Sequence, residues 1–571
     1  MPKVWKIKKP PQKDIERLKK EAGISSLLAW LLLNRGVKDA NSVREFLSFQ
    51  LEDLVKNSSL EVFEPPAQLL KTAIIQRKTI GVHGDYDVDG ITSTALLLDF
   101  LKAVGAKAEY YLPHRLQDGY GLSERGVEEL FKKGAKLVVA LDCGITDHQA
   151  VERAKALGMK VIVIDHHQPP LNLPDADVII DPFIEGFPKE FQVLCTAGLV
   201  FFLLLQLRRL LREEGFFKTQ PEPNLKQALD LVALGTVADV ALVKGLNRIL
   251  LSYGFKELER TSRFGLQLLK KKAYLEDEID YAKVAFRLAP RLNAAGRIDE
   301  ADPGLELLLC KDAKKANELA DILERRNQLR QRLEEKILDQ ARQQIESWSD
   351  LSQRKSLVVW GADWHPGVVG IVAQRLREIY NRPCIVISVS DGLGRGSARG
   401  LDGFNLYLGL VRCQKYLLEF GGHELACGLV LPEDNLEYFR EEFEQVVEEL
   451  CPQEAFEPVL FCDAELPIDR ITPQLVDELE RLKPFGPGNP EPVLVARWIS
   501  VLSSEWRAEK HLRMLVQENK TTLNAWYFQA QDVEVKPGEV IDLAYTIDAS
   551  SWQGSPRLRL IVKDLKKLTS G

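Results

Sequence analysis

From about residue 75 the chain alternates short apolar runs with amphipathic stretches. Thr79-Ile-Gly-Val-His83 reads as a strand and residues 91–104 as a helix. Residues 107–112, 136–141 and 160–164 read as further strands, separated by helices over 124–133 and 148–157. Strands without polar alternation, interleaved with helices, predict a parallel sheet covered on both faces. Ligands of such sheets bind beyond the carboxyl ends of the strands.

The pattern changes three more times. Residues 312–347 keep a helical period with no Gly or Pro and read as a long connecting helix. A second α/β lobe follows, with strands over 356–360 and 384–388, a helix over 368–380 and a Gly-rich turn over 392–400. From about 455 the chain is β-rich, with strands near 457–466, 492–503, 511–516, 522–528, 539–546 and 557–564, which suits a small barrel. The expected boundaries are a helical segment over 1–60, a first α/β domain over 61–305, the connecting helix over 306–350, a second domain over 351–452 and the barrel over 453–571.

Composition narrows the class. A chain of 571 residues, 45% apolar and 28% charged, is ordinary for a soluble multidomain protein. The basic start lacks the apolar core of a secretory signal, and the longest apolar run, over 197–205, is too short to span a bilayer. Eight cysteines occur singly, with no C-x-x-C pair, which argues against a zinc site or disulfide framework and fits a reducing cytoplasm. The net charge of −7 alone disfavours nucleic acid, but phosphate binding depends on local patches.

The chemistry gathers at the strand ends. GVHGDYDVDG places Asp85, Asp87 and Asp89 directly after the first strand. Asp142 ends LVVALD, Asp165-His166-His167 follows VIVI, and Asp239 closes the apolar run over 228–237 in LGTVAD. All are expected at one end of the same sheet. Carboxylates with imidazole and no thiolate suit Mn²⁺ or Mg²⁺, and a set this large can hold two ions.

GDYDVDG, LDCG, DHH and GTVAD, in that order, resemble the DHH phosphoesterase superfamily, and the chain is most similar to its RecJ branch. LPHRLQDGYGLS, APRLNAAGR, WHPGVVGIVAQRL, GRGSARG, FGGHELACG and PFGPGNPEP extend the likeness over about four fifths of the chain. The resemblance implies a DHH domain, a DHH-associated domain and a C-terminal OB-fold. It implies a 5′→3′ exonuclease acting on single-stranded DNA in repair and recombination, with Mn²⁺ or Mg²⁺ as cofactor. The alternatives are a DHH phosphodiesterase for short oligonucleotides or cyclic dinucleotides, and an inactive replication scaffold. The filled ligand positions and the barrel argue against both.

Carried over motif by motif, the metal ligands are Asp87, Asp89, Asp142, His166 and Asp239, with Asp85 a ligand or a neighbour of one. His167 is expected to face the scissile phosphate, and His83 is a weaker candidate for the metal. Arg115, Arg297, Ser397, Arg399 and His423 are the substrate-binding set, with GRGSARG offering an anion its backbone N–H groups. Arg291 and Asn293 are expected to position DNA or brace the lobes. Trp506, His511, Arg513, Trp526, Tyr527 and Trp552 are the barrel residues available to a single strand. By resemblance the partners are single-stranded DNA, a single-stranded-DNA-binding protein and a RecQ-type helicase, for a cytoplasmic monomer. Ile164, His114 and Asp181 depart from the family's usual residues without emptying a ligand position.

Overall fold

In the computed structural model the apolar run at Thr79–His83 (β1) forms the second strand of a five-stranded, all-parallel sheet. The structure describes residues 3–56, 58–114, 119, 121–276, 278–298, 301–530, 533–549, 551–552, 555–556 and 558–568. The other strands are Ala108–Tyr111 (β2), Ala135–Leu141 (β3), Lys160–Ile164 (β4) and Val178–Ile180 (β5), in the order β2-β1-β3-β4-β5. The chain therefore leaves β1 toward one edge and returns on its other side as β3. That reversal opens a crevice beyond the carboxyl ends of β1 and β3, the expected ligand position of a doubly wound sheet.

Amphipathic helices over Glu124–Lys132 and His148–Ala156 pack on the sheet, and three further helices of this lobe are mostly apolar. Val88–Ala103 (α1), Thr196–Glu213 (α2) and Leu229–Ala238 (α3) pack on one another with most of their side chains buried. The apolar run before Asp239 is thus helix α3, so Asp239 reaches the crevice from a helix end and not from the sheet. A run that is buried all round carries no period to separate helix from strand.

Ala313–Glu346 (α4), capped by Asp312, is the predicted connecting helix, and its apolar face carries Ile337, Ala341 and Ile345 into the second lobe. That lobe has strands Leu357–Ala362 (β6), Cys384–Ser390 (β7), Leu393–Arg399 (β8), Glu419–Gly422 (β9) and Ala426–Pro432 (β10), in the order β9-β10-β8-β7-β6. The GRGSARG segment is therefore a central strand and not a turn, and β8 pairs with β7 and β10 along its whole length. Its glycines make room for the neighbouring strands: a Cβ at Gly394 would lie 2.9 Å from both Ile387 and Leu431, and one at Gly396 2.9 Å from Leu429.

These two lobes and α4 form one compact unit, residues 59–239 and 254–458. The other unit joins residues 1–58, 240–253 and 459–571. Its centre is a closed barrel in which Leu494–Arg507, His511–Glu518, Thr521–Tyr527, Arg559–Lys567 and Val540–Asp548 pair in turn, the last returning to the first. Leu512, Met514, Val516, Leu543, Tyr545 and Leu560 fill it. This is the expected OB-fold arrangement.

The N-terminal segment is mostly helical, as expected, but it opens with a strand. Val4–Ile7 is a strand paired in parallel with Val459–Cys462, and the helices that follow bury Ile15, Leu18, Leu28, Leu31 and Leu32 with Leu482. Residues 240–253 are bound to the same unit by Val243, whose N–H donates to Pro487 O at 2.7 Å, and by buried Arg248, which donates to the carbonyls of Phe46, Leu482 and Lys483.

Candidate metal centre

The loop after β1 is shaped by its glycines. A Cβ on Gly90 would lie 2.5 Å from the backbone oxygen of Asp85, and one on Gly84 2.1 Å from the Thr94 hydroxyl, so only glycine lets the chain fold back on itself here. Asp87 caps α1, its Oδ1 accepting from the N–H groups of Asp89 at 2.9 Å and Gly90 at 3.1 Å. The Val88 N–H donates to Asn293 Oδ1 at 3.2 Å. Asn293 thus holds the start of α1, and Arg291 braces α4 through Glu324 at 2.7 Å.

Asp89 points at the first turn of α2, where its oxygens accept from the N–H groups of Thr196 at 2.7 Å and Ala197 at 3.0 Å. Asp142 follows β3 with a left-handed backbone, φ 64°. Its Oδ1 accepts from the Thr196 hydroxyl at 3.1 Å and lies 3.2 Å from His166 Nε2. The same imidazole nitrogen is 3.8 Å from Asp89 and 3.9 Å from Asp239. His167 turns the other way: its Nδ1–H donates to Asp165 Oδ1 at 2.7 Å, and Asp165 is itself held by the N–H groups of His166 and Ile145.

Two groups of ligand-type atoms result, each with all its members within 4.8 Å of one another. One is Asp85, Asp87 and Asp142, the other Asp142, His166 and His167. Asp142 belongs to both. Asp89 and Asp239 approach the second group through His166 and are outside these two sets. The arrangement therefore brings His167 in among the ligand-type groups, where the sequence reading has it beside the phosphate. His83 lies elsewhere: its buried ring packs against Tyr111, Ser123 and Cys143, with Gly126 leaving room for it.

Electrostatics fit a cation. Burial, then the charges of Asp89, Asp87 and Asp85, push the Asp142 carboxyl well above the usual range. Burial and the charges of Asp89 and Asp87 raise Asp239 to about 8, and burial, helped by Asp87, also raises Asp89. Burial lowers His166, leaving its imidazole neutral and free to coordinate. Burial also opposes charge on His167, but the bond to Asp165 and that carboxylate's charge outweigh it and raise His167 to about 9. Crowded carboxylates that favour protonation, with a neutral imidazole and no thiolate in either group, are the donor set of a hard-to-borderline divalent ion.

The substrate candidates lie in and around the second lobe. Arg399 Nη1 donates to Ser397 Oγ at 3.0 Å on β8. The start of helix Val369–Tyr380 (α5) lies against this pair, since a Cβ on Gly370 would be 3.0 Å from Ser397 Oγ and 3.2 Å from Arg399 Nη2. A hydroxyl, a guanidinium and a helix N-terminus together favour an anion. An anion held there would rest on side chains and α5, because the β8 backbone is engaged in the sheet ladder. Arg297 contacts the Gly367 carbonyl at 3.4 Å, His423 is exposed at the turn between β9 and β10, and Arg115 lies outside the described residues. Trp364 is a structural link, its indole donating to Gln340 of α4 at 2.8 Å. On the barrel, Trp526 and Phe528 stack with ring centroids 6.0 Å apart and Arg513 lies 5.8 Å from the Trp526 ring.

Two contributors escape motif reading, Thr196 and Asp165. Thr196 begins the apolar run 197–205 and looks like an ordinary helix start. Asp165 sits in DHH, but only the fold shows that it turns His167.

Comparison with known proteins gives a consistent result. Residues 79–236 match the DHH family N-terminal domain, 353–449 the DHHA1 domain and 462–564 the RecJ OB domain. The chain is 34% identical over 567 residues to the single-stranded-DNA-specific exonuclease RecJ of Bacillus subtilis, covering 98% of this chain and 70% of that one. It is 33% identical to the Escherichia coli protein of the same name, covering 95% of this chain and 96% of that one. The crystal structure of RecJ in complex with Mn²⁺ from Thermus thermophilus superposes with a TM-score of 0.81 at 30% identity, covering 99% of this chain and 80% of that one. The Mg²⁺ complex from the same organism gives 0.77 at 29% identity, covering 99% and 79%.

Proposed function

Because the chain belongs to the RecJ family of DHH-domain exonucleases, we propose that it degrades single-stranded DNA from the 5′ end with two divalent ions, Mn²⁺ or Mg²⁺. The observation that carries this reading is the pair of ligand groups sharing Asp142 at the sheet's switch point. Asp85, Asp87 and Asp142 would hold one ion, and Asp142 and His166 the other, with Asp89 and Asp239 alongside and His167 next to them facing the phosphate. When bound, such a pair lowers the pKa of a shared water and offsets negative charge on the phosphodiester.

The chain's own residues supply the rest. Asp87 and Asp89 are locked by helix-start N–H groups, so their carboxylates need not reorganise during turnover. Asp165 fixes the His167 ring and keeps a proton on Nδ1, leaving Nε2 as the group that faces the reaction. Ser397, Arg399 and the start of α5 grip the terminal phosphate, and Arg115 is assigned to the same grip by its motif. A terminal phosphate carries more charge than an internal one, so this pocket would set the polarity. The barrel would add its own grip on the strand. Its match to the RecJ OB domain argues against a small-substrate phosphodiesterase.

The enzyme would act in repair and recombination, in the cytoplasm, as a monomer working with a single-stranded-DNA-binding protein and a RecQ-type helicase. Among the described residues no helix is long and apolar enough to cross a membrane. The test uses single strands labelled at either end, incubated with and without Mn²⁺. Release of the 5′ label first, only with metal, is the expected result; 3′ label first, or metal-independent cleavage, refutes it.

A further inference from the structure

The unit that holds the barrel also carries a charge imbalance that its packing does not explain. In a chain of net charge −7, residues 3–20 contain eight lysines and arginines against two carboxylates. Those carboxylates, Asp14 and Glu16, pair with Arg17 at 3.5 Å and Lys19 at 3.7 Å. Lys6, Lys8, Lys9 and Lys38 are exposed and have no ion-pair partner among the described residues. Cations left unpaired on one face repel one another, which favours a surface that takes up an anion.

The fold sorts these charges into a continuous surface. Lys6 and Lys8 are two apart on an extended segment, which puts them about 6.7 Å apart on one face. Lys6 is the register partner of Phe461 on the adjoining strand, and the Lys8 ammonium lies 5.5 Å from the centre of the same ring. Phe461 is 57% exposed, an aromatic face set between two cations. Lys8 also borders a groove of about 400 Å³ shared with Lys9, Arg17 and Lys38, and with Asp14, which pairs with Arg17. Hydrogen bonds tie the groove's walls together: the Lys8 carbonyl accepts from the Trp30 indole at 2.8 Å, the Lys8 N–H donates to Cys462 O at 3.0 Å, and Arg17 donates to Lys38 O at 3.4 Å.

We propose that the Lys6–Phe461–Lys8 face and the adjoining groove of Lys9, Arg17 and Lys38 form a second binding surface for single-stranded nucleic acid, outside the barrel and the two α/β lobes. The proposal rests on the reading of the chain as a single-strand nuclease. Regularly spaced point charges suit a phosphate backbone. An exposed ring between them suits stacking with any base, so the surface is indifferent to sequence. It increases affinity for long strands and leaves the chemistry alone.

The experiment uses the full chain with a fluorescent oligothymidylate, long or short, in EDTA so that nothing is cleaved. Lys6→Ser, Lys8→Ser and Lys38→Ser are combined in one variant, with Phe461→Ser as another. The lysine variant should bind the long strand about ten-fold more weakly at about 0.1 M salt, with the slope of log Kd against log salt flatter by about 2. Phe461→Ser should weaken binding by a few fold with an unchanged slope, a split that a diffuse electrostatic halo would not produce. Turnover of a very short oligonucleotide with Mn²⁺ should match the wild type in both. Unchanged affinity and slope in the lysine variant overturn the proposal. So does unchanged DNA binding with loss of binding to polyglutamate, which would make the face a dock for an acidic protein. A wild-type chain that binds the strand but never cleaves it refutes the nuclease reading and leaves the binding test intact.

Discussion

The Thr196 hydroxyl donates to Asp142 at 3.1 Å while the Thr196 N–H donates to Asp89 at 2.7 Å, so the start of one helix ties together carboxylates that follow two different strands. Thr196→Val keeps the shape and the backbone bond and removes only the hydroxyl. Turnover should fall roughly 10–100-fold and the Mn²⁺ concentration for half activity should rise, as for other groups that orient a ligand. Steady-state kinetics over a Mn²⁺ titration checks this; an unchanged metal dependence would separate Thr196 from the site.

Asp165→Asn should free the His167 ring from its fixed tautomer. The raised pKa of about 9 should drop toward the ordinary range, because the charge that opposes burial is gone. The rate should fall more than Mn²⁺ affinity. His167→Ala then assigns the histidine by calorimetry: loss of one metal equivalent makes it a ligand, as its place within 4.8 Å of Asp142 and His166 allows, and full stoichiometry leaves it beside the phosphate.

Metal-free protein should lose stability as pH rises, through Asp239 from about pH 4 to 8 and through His167 from about pH 6.5 to 9. Asp239 at about 8 and His167 at about 9 both bind protons more tightly in the folded chain than when unfolded. The folded state therefore carries the extra protons, and raising the pH removes them at its expense. His166, lowered by burial, acts the opposite way below about pH 6.5. Mn²⁺ should raise the melting temperature more at pH 8.5 than at pH 6. Thermal melts with EDTA or Mn²⁺ across this range are the measurement, and a melting temperature that climbs with pH in EDTA would contradict the shifts.

Arg399→Ala should hurt 5′-phosphorylated oligonucleotides more than 5′-hydroxyl ones, by roughly 10-fold in kcat/KM, since a charge-assisted contact is lost. Generic phosphodiester hydrolysis should change little. Equal loss on both ends would make Arg399 a contact to internal phosphates.

Trp5→Ala should destabilise the barrel without touching the metal centre. The indole donates to Asp564 at 2.6 Å, with the Arg497 guanidinium 5.7 Å and the Lys566 ammonium 4.8 Å from its ring. A cost of about 2–3 kcal/mol is expected for a half-buried tryptophan. Because residues 1–58 share the barrel's unit, cutting the chain near residue 452 would also strip the partner strand from Val4–Ile7 and expose Leu18, Leu28 and Leu31. Single substitutions are therefore the cleaner probe, read by denaturant melts beside single-turnover assays.

Legibility in the sequence followed local physics. The parallel sheet could be read because each strand is a short apolar run with its own turn, and the aspartates could be placed because strand ends are where such sheets bind. GRGSARG misled because alternate glycines have low strand propensity. Ile387, Leu429 and Leu431 on its neighbours decide the matter through contacts no local pattern contains. The strand Val4–Ile7 was hidden for the same reason: its partner lies more than 400 residues away. At the site, residue types were legible but orientation was not. His166 and His167 are adjacent in sequence, yet one faces Asp142 and the other is turned by Asp165.

The pairing of Val4–Ile7 with Val459–Cys462 also sets a schedule for biosynthesis. At about 5–20 residues per second, the first strand leaves the ribosome roughly 20–90 s before its partner exists. Through that interval the apolar faces around Leu18, Leu28 and Leu32 have no Leu482 to close over them, while the segment 59–239 is already emerging. The nascent chain must therefore store an unfinished N-terminus while its central lobes fold. Slowing translation should increase its demand for holding chaperones in a way that no measurement on the finished protein would reveal.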